Sequence, residues 1–308
     1  VLTAVLDVLL PRPCVGCGAP GAPLCDACLA PLVAPEPRTP APRPAGLPAC
    51  WSAAWYEGPL RRAVIAYKER AQTGLAVPLA ALLAFTVASA LAAGRPVEGP
   101  FAVVPVPSAR RALRSRGHDP MGRLAELAVH ALTRLGRPAV LWRALTPARR
   151  VADQAGLDAA GRAANLAGSL RVTGRPPNPT GSLSVTGRPP NPTGSLSAAE
   201  RGADVAGSLR LAQRAADMTG VVGREAAPKA TATAPSPAAL HGHGTDKFRT
   251  PGTPWALGMP VVLVDDLVTT GATLAEAARA LREEGWDVAC AVTVAATRRR
   301  SENARRSP

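Results

Sequence analysis

The stretch VVLVDDLVTTGAT, residues 261–273, sets four apolar residues before two adjacent carboxylates, Asp265 and Asp266, and then runs into threonines and a glycine. The apolar run reads as a buried strand. Thr273, Leu274, Ala275 and Glu276 spell a capping box, so a helix is expected to start at Thr273, with Leu274, Ala277, Ala278 and Leu281 as its buried face and its end near Gly285. Residues 267–272 then form a strand-to-helix turn. Its N–H groups, with the unpaired donors of the helix's first turn, make an anion cradle. Thr269, Thr270 and Thr273 add hydroxyl donors, and Gly271 admits a ligand oxygen close to the main chain. Each charge-assisted bond is worth roughly 1.5–3 kcal/mol, so a few suffice for a phosphate. Ionised carboxylates repel phosphate, so Asp265 and Asp266 suit hydroxyl groups or a metal ion beside it. A sugar phosphate offers both.

A second set of chemistry-bearing residues lies near the start. Cys14 and Cys17, then Cys25 and Cys28, form two Cys-x-x-Cys knuckles with seven residues between them. This spacing converges four thiolates on one ion and points to structural Zn2+ in a closed site. Cys50 and Cys290 read as small hydrophobes.

The elements that must position these groups follow from periodicity. Residues 51–56 suit a strand. Residues 59–70 place Leu60, Ala63, Val64 and Tyr67 at helical spacing, and a second helix is expected over about 75–92. Residues 101–107 suit a buried strand that ends in prolines. Leu124, Leu127, Ala128 and Leu132 mark a helix, residues 139–145 the next strand, and residues 286–297 the last one. Strands alternating with helices at these spacings predict a parallel sheet.

The domain organisation expected is a zinc knuckle over 1–30 and a proline-rich extended linker over 31–48, then one α/β domain in two pieces, 49–170 and 259–298, and a basic tail over 299–308. Between the pieces, 171–258 reads as a low-complexity insert. The segment VTGRPPNPTGSLS occurs at 172–184 and again, letter for letter, at 185–197. Two copies are too few for a solenoid, which needs at least about three, and fit a tandem duplication. His241 and His243 lack nearby carboxylate or thiol partners and read as solvated.

At 308 residues, 47% hydrophobic and 19% charged, the chain is long enough for a large apolar core. Its net charge of +14 favours anionic partners, but only Lys68, Lys229 and Lys247 are lysines, and an arginine-heavy, Ala-, Pro- and Gly-rich composition also arises from coding bias. No stretch reaches the roughly 18–20 unbroken apolar residues of a membrane span. The first ten residues lack a basic region and carry Asp7, so they do not read as a signal peptide, and a cytoplasmic location is expected.

The stretch 261–273 resembles the phosphoribosyl-diphosphate (PRPP) motif of type I phosphoribosyltransferases. The resemblance implies that Asp265 and Asp266 hold the ribose hydroxyls as catalytic residues while Leu267, Val268, Thr269, Thr270, Gly271, Ala272 and Thr273 hold the 5′-phosphate, with Mg2+ accompanying PRPP. It implies a type I phosphoribosyltransferase fold, a parallel sheet of about five strands with helices on both faces. The four-cysteine knuckle, YKER at 67–70, VPVPSARRALRSRGHDP at 104–120 and RRVADQAGLDAAGRAANLAGSL at 149–170, together with the PRPP motif, resemble the ComF family of competence-associated phosphoribosyltransferase-like proteins. By that resemblance Arg110, Arg111, Arg114 and Arg116 serve a pyrophosphate loop. Asp153, Gln154, Arg162 and Asn165 match a hood over the site. The chain departs from the family at His118 and Asp119, where an aromatic residue and an asparagine are usual.

Three functions stay open on these residues. One is transfer of a phosphoribosyl group to an unidentified nitrogen acceptor. Another is non-enzymatic handling of single-stranded DNA beside competence proteins, against which stands an aromatic content of only 3%. The third is a PRPP sensor without turnover.

Overall fold

The computed structural model describes residues 13–94, 97, 99–108, 119–149, 151, 159–177 and 258–298. Its centre is a six-stranded sheet. In chain order the strands are β1 (Glu36–Pro37), β2 (Cys50–Trp55), β3 (Phe101–Pro105), β4 (Ala139–Leu141), β7 (Val261–Val268) and β8 (Val288–Ala296). In space the order is β1-β2-β8-β7-β3-β4. The five strands from β2 to β4 run parallel, as the alternation of strands and helices predicts, and β1 adds a short antiparallel edge. β7 sits between β3 and β8, so everything at its carboxyl end is flanked by main chain on both sides.

Both faces of the sheet are covered, which is why β7 and β8 are apolar without alternation. Val262, Val264 and Val292 enter one core with the helices α2 (Gly58–Glu69), α3 (Ala76–Ala93) and α4 (Pro120–Arg134). Val261, Leu263 and Ala291 enter the other, beneath α6 (Ala272–Glu283). The helix α3 lies within the segment Thr73–Ala93, which has a mean hydropathy of 2.2 and is long and apolar enough to cross a membrane. The sequence reading expected no such stretch, because Thr86 and Ser89 interrupt the apolar run. In the fold 94% of it is buried against the sheet and α4, and the Thr86 hydroxyl donates to Leu82 O at 2.7 Å. The apolarity is that of a core helix.

The strand expected over 139–145 divides. β4 stops at Leu141, Trp142 turns into the second core and meets Trp286 edge-on at 4.7 Å, and β5 (Leu145–Pro147) leaves the main sheet. β5 pairs antiparallel with β6 (Leu170–Val172), in register Leu145↔Val172 and Pro147↔Leu170. Between them lies α5 (Ala159–Leu166). A run of apolar residues cannot distinguish one strand from two in different sheets, because both present the same side-chain pattern.

Residues 31–48, expected to be an extended linker, are also fastened to the domain. Arg38 is buried, donates to Ala34 O and Ser52 O, pairs with Glu36, and lies 5.0 Å over the Trp55 ring. Arg43 donates to Leu47 O at 2.6 Å, and Arg282 of α6 donates to Gly46 O.

Candidate active site

Asp265 and Asp266 lie in the carboxyl-terminal half of β7, with Asp265 opposite Thr293 of β8. The strand carries on through Val268, whose carbonyl accepts from Thr297 N at 3.0 Å. Leu267 and Val268 are therefore strand residues, and the turn proper is Thr269, Thr270 and Gly271. The expected capping box is not formed. Gly271 is the N-cap, in the left-handed region at φ 74°, and α6 begins at Ala272. Glu276 instead turns away from the helix start, toward β6. A glycine that can take positive φ swings the chain into the helix without a side-chain cap. A Cβ at Gly271 would meet Leu47 Cδ2 at 3.0 Å and Pro40 Cγ at 3.1 Å, so the strap of residues 31–48 closes directly on this turn.

The two carboxylates differ. The N–H of Asp266 donates to Asp265 Oδ1 at 2.9 Å. Burial, then the neighbouring Asp266 charge, pushes the Asp265 carboxyl well above the ordinary carboxylate range, and Lys68 only partly offsets this. Asp266 Oδ2 accepts from Lys68 Nζ at 2.6 Å. Lys68 is the site residue that the sequence reading did not assign. The available signal was that it is one of three lysines in an arginine-rich chain, in the last turn of a helix.

Local packing holds Lys68 in place. Its neighbour Tyr67 is buried and donates its hydroxyl to Pro120 O at 2.9 Å, at the start of α4. Asp119 caps α4 by accepting from Gly122 N at 3.1 Å, and Arg143 pairs with the same carboxylate at 3.1 Å. Thus Asp119, at the point where the chain departs from the ComF pattern, has a helix-capping role.

The chain leaves β3 beside this site. Pro105 lies opposite Val264, and Val106 N donates to Val264 O at 2.9 Å. Arg110, Arg111, Arg114 and Arg116, expected to serve pyrophosphate, lie outside the described residues, as do Asp153 and Gln154. Arg162 and Asn165 are carried by α5, which packs on α6. Arg162 Nε is buried with no partner among the described residues.

Cys14, Cys17, Cys25 and Cys28 come together as the spacing predicts, with their sulfurs all within 4.8 Å of one another. Gly16 N and Cys25 N each lie 3.3 Å from Cys14 Sγ and donate to it. Burial pushes the Cys14 thiol up, but these main-chain donors outweigh it and bring it down to about 6. A sulfur held by N–H donors is a thiolate in waiting, and the donor set fits zinc. The short helix α1 (Asp26–Leu29) follows the second knuckle. Arg62 of α2 donates to Val15 O at 2.9 Å and Gly16 O at 2.7 Å, so the cysteine module grips the helix that carries Lys68. Cys50 and Cys290 are buried, and burial pushes both thiols up to about 12.

A parallel sheet covered on both faces, with an acidic pair and a β-to-α turn at the carboxyl end of a central strand, is a doubly wound architecture, whose ligand sites lie at the carboxyl ends of the strands. A family model described as phosphoribosyl transferase domain matches residues 203–307, which include the pair and the turn. The match supports a phosphoribosyltransferase-like assignment. A comparison with curated proteins gave no match.

Mg2+ is the ion that the sequence resemblance implies at this site. Two adjacent carboxylates, one pushed up by burial and by the other's charge, are relieved by positive charge beside them, so the site's electrostatics fit such a cation.

Proposed function

We propose that the chain binds PRPP with Mg2+ at Asp265, Asp266 and the 267–273 segment, and transfers the phosphoribosyl group to a nitrogen acceptor. The observation that carries this reading is the acidic pair set one turn before the Thr-Thr-Gly bend at the end of a central strand. Asp265 and Asp266 accept hydrogen bonds from the ribose 2′ and 3′ hydroxyls, while main-chain N–H groups and the hydroxyls of Thr269, Thr270 and Thr273 hold the 5′-phosphate. In the transfer the C1′–O bond to pyrophosphate breaks as a C1′–N bond to the acceptor forms. Positive charge grows on the ribose ring, and the nearby carboxylates favour it. Arg110, Arg111, Arg114 and Arg116 neutralise the departing pyrophosphate. Mg2+, when bound, supplies further charge neutralisation on the leaving group. Lys68, which donates to Asp266 Oδ2, holds that carboxylate in orientation before substrate arrives. A ComF-like role in DNA uptake belongs to this reading through the sequence resemblance.

The test is calorimetric titration of PRPP with Mg2+ into the protein and into Asp265→Asn/Asp266→Asn. Saturable binding that the double variant loses is expected. A folded, zinc-loaded wild type that binds no PRPP overturns the reading.

A further inference from the structure

Glu276 is charged, only 5% exposed, and three residues past the Thr273 hydroxyl that closes the phosphate segment. Its main-chain partners lie outside its own helix. Glu276 Oε1 accepts from Leu170 N at 3.0 Å, and the main chain of Gly168 contributes as well. Arg279, one turn along α6, donates from Nε to Glu276 Oε2 at 2.7 Å and from Nη2 to Glu276 Oε1 at 2.9 Å. The same Nη2 lies 3.3 Å from Leu170 O and donates to it, and Glu283 pairs with Arg279 from the far side. One acidic and one basic side chain therefore grip the N–H and the C=O of a single residue, as a neighbouring strand would.

Leu170 sits at a mechanically particular place. It is the first residue of β6, opposite Pro147, the last residue of β5, so the chain between the two strands leaves and returns at that pair. The root is closed above it by Ala148 N donating to Ser169 O at 2.7 Å. Arg149 Nη2 donates to Asn165 O at 2.8 Å and to Ala167 O at 2.6 Å. The segment so rooted carries α5 with Arg162 and Asn165. The helix that holds the root is the one whose first turn ends the phosphate segment.

We propose that Glu276 and Arg279 are positioning residues: a latch that fixes Leu170, and with it α5 and its Arg162 and Asn165, to the helix that ends the 267–273 segment, so that PRPP bound at that segment meets Arg162 and Asn165 in one fixed arrangement. The proposal rests on the donor-site reading above. A buried ion pair is a poor source of stability compared with apolar packing, and its best-attested use is to fix one arrangement among several. Here the arrangement fixed is that of a small two-stranded sheet whose Leu145 and Leu170 pack into the second core, so the pair sets its register on α6 rather than supplying its stability.

The experiment compares wild type, Glu276→Gln and Arg279→Lys. Arg279→Lys keeps the charge but cannot reach both Glu276 and Leu170 O. Amide hydrogen exchange over 159–170 is read without ligand, and affinities for ribose 5-phosphate and for PRPP with Mg2+ are measured on the same samples. Faster exchange over 159–170 is expected in both variants, with ribose 5-phosphate affinity unchanged and PRPP affinity lowered about tenfold, in the range of ordinary coupling between sites. Unchanged exchange overturns the latch. So does faster exchange with PRPP affinity intact, or a parallel fall in both ligands, which would mark general damage to the loop. A wild type that binds neither ligand is a failure of the donor site itself, and it is distinguished because the exchange difference is read with no ligand present.

Discussion

Lys68 Nζ and Asp266 Oδ2, 198 positions apart in the chain, lie 2.6 Å apart and join the last turn of α2 to the central strand β7. The lysine is also a positive charge near Asp265, and it opposes the upward push that burial gives that carboxyl. Removing it leaves two carboxylates side by side without the ammonium that pairs with Asp266. Lys68→Met is expected to lower stability at pH 7 by about 1.5–3 kcal/mol, the cost of unpairing a partly buried charged group. Urea unfolding checks it. Lys68→Arg should recover part of the loss.

Asp265 gives a pH dependence whose sign is fixed by its direction of shift. Its folded-state carboxyl titrates well above the ordinary value, so over that interval the folded protein holds a proton that the unfolded chain has released. Stability contributed by the protonated carboxyl is full below the ordinary value and is lost as pH rises through the raised one. At neutral pH burial of this carboxyl is therefore a net cost. Asp265→Asn is expected to stabilise the metal-free protein at pH 7 by roughly 0.5–2 kcal/mol, with the gain shrinking toward pH 4, while abolishing PRPP binding. Unfolding curves at the two pH values separate this from a neutral surface change.

Much of this site was legible in the chain because strand, acidic pair and turn are contiguous, and contiguous residues keep their order in space. The parallel sheet was legible for the same reason, since both-face burial writes unbroken apolar runs into β7 and β8. What was not legible is whatever depends on partners far along the chain. Glu276 fits a capping box locally, yet it serves Leu170, 106 positions away. Lys68 stands in the YKER stretch that marks the family resemblance, but its pairing with Asp266 is not visible until β7 is placed beside it. Leu145 looks like the end of one strand until β6 claims it for another sheet.

The cysteine module is expected to bind one equivalent of zinc and to act at a distance through Arg62. Zinc must displace the protons of the four thiols, so zinc affinity should fall on acidification. Cys14→Ser should release the ion and cost on the order of 3 kcal/mol. Metal analysis after chelation, with melting curves beside it, reads both. Because Arg62 ties the knuckle to α2, hydrogen exchange should quicken along 58–69 when zinc is removed.

Gly271 is where the strap and the phosphate turn meet. Gly271→Ala carries two separate penalties. The first is the left-handed backbone at φ 74°, which costs a residue with a side chain roughly 1–2 kcal/mol. The second is the contact of the new methyl with Leu47 and Pro40 at about 3 Å, closer than carbon atoms sit in a packed core. The two are separable by a double-mutant cycle. In a Leu47→Ala background the added cost of Gly271→Ala should fall to the backbone penalty alone. If it does not fall, the strap is yielding freely and exerts no pressure on the turn. If it does, Leu47→Ala by itself should weaken PRPP binding severalfold, because the strap then helps hold the N–H groups of the turn aimed at the phosphate, and calorimetry on that single variant decides the point.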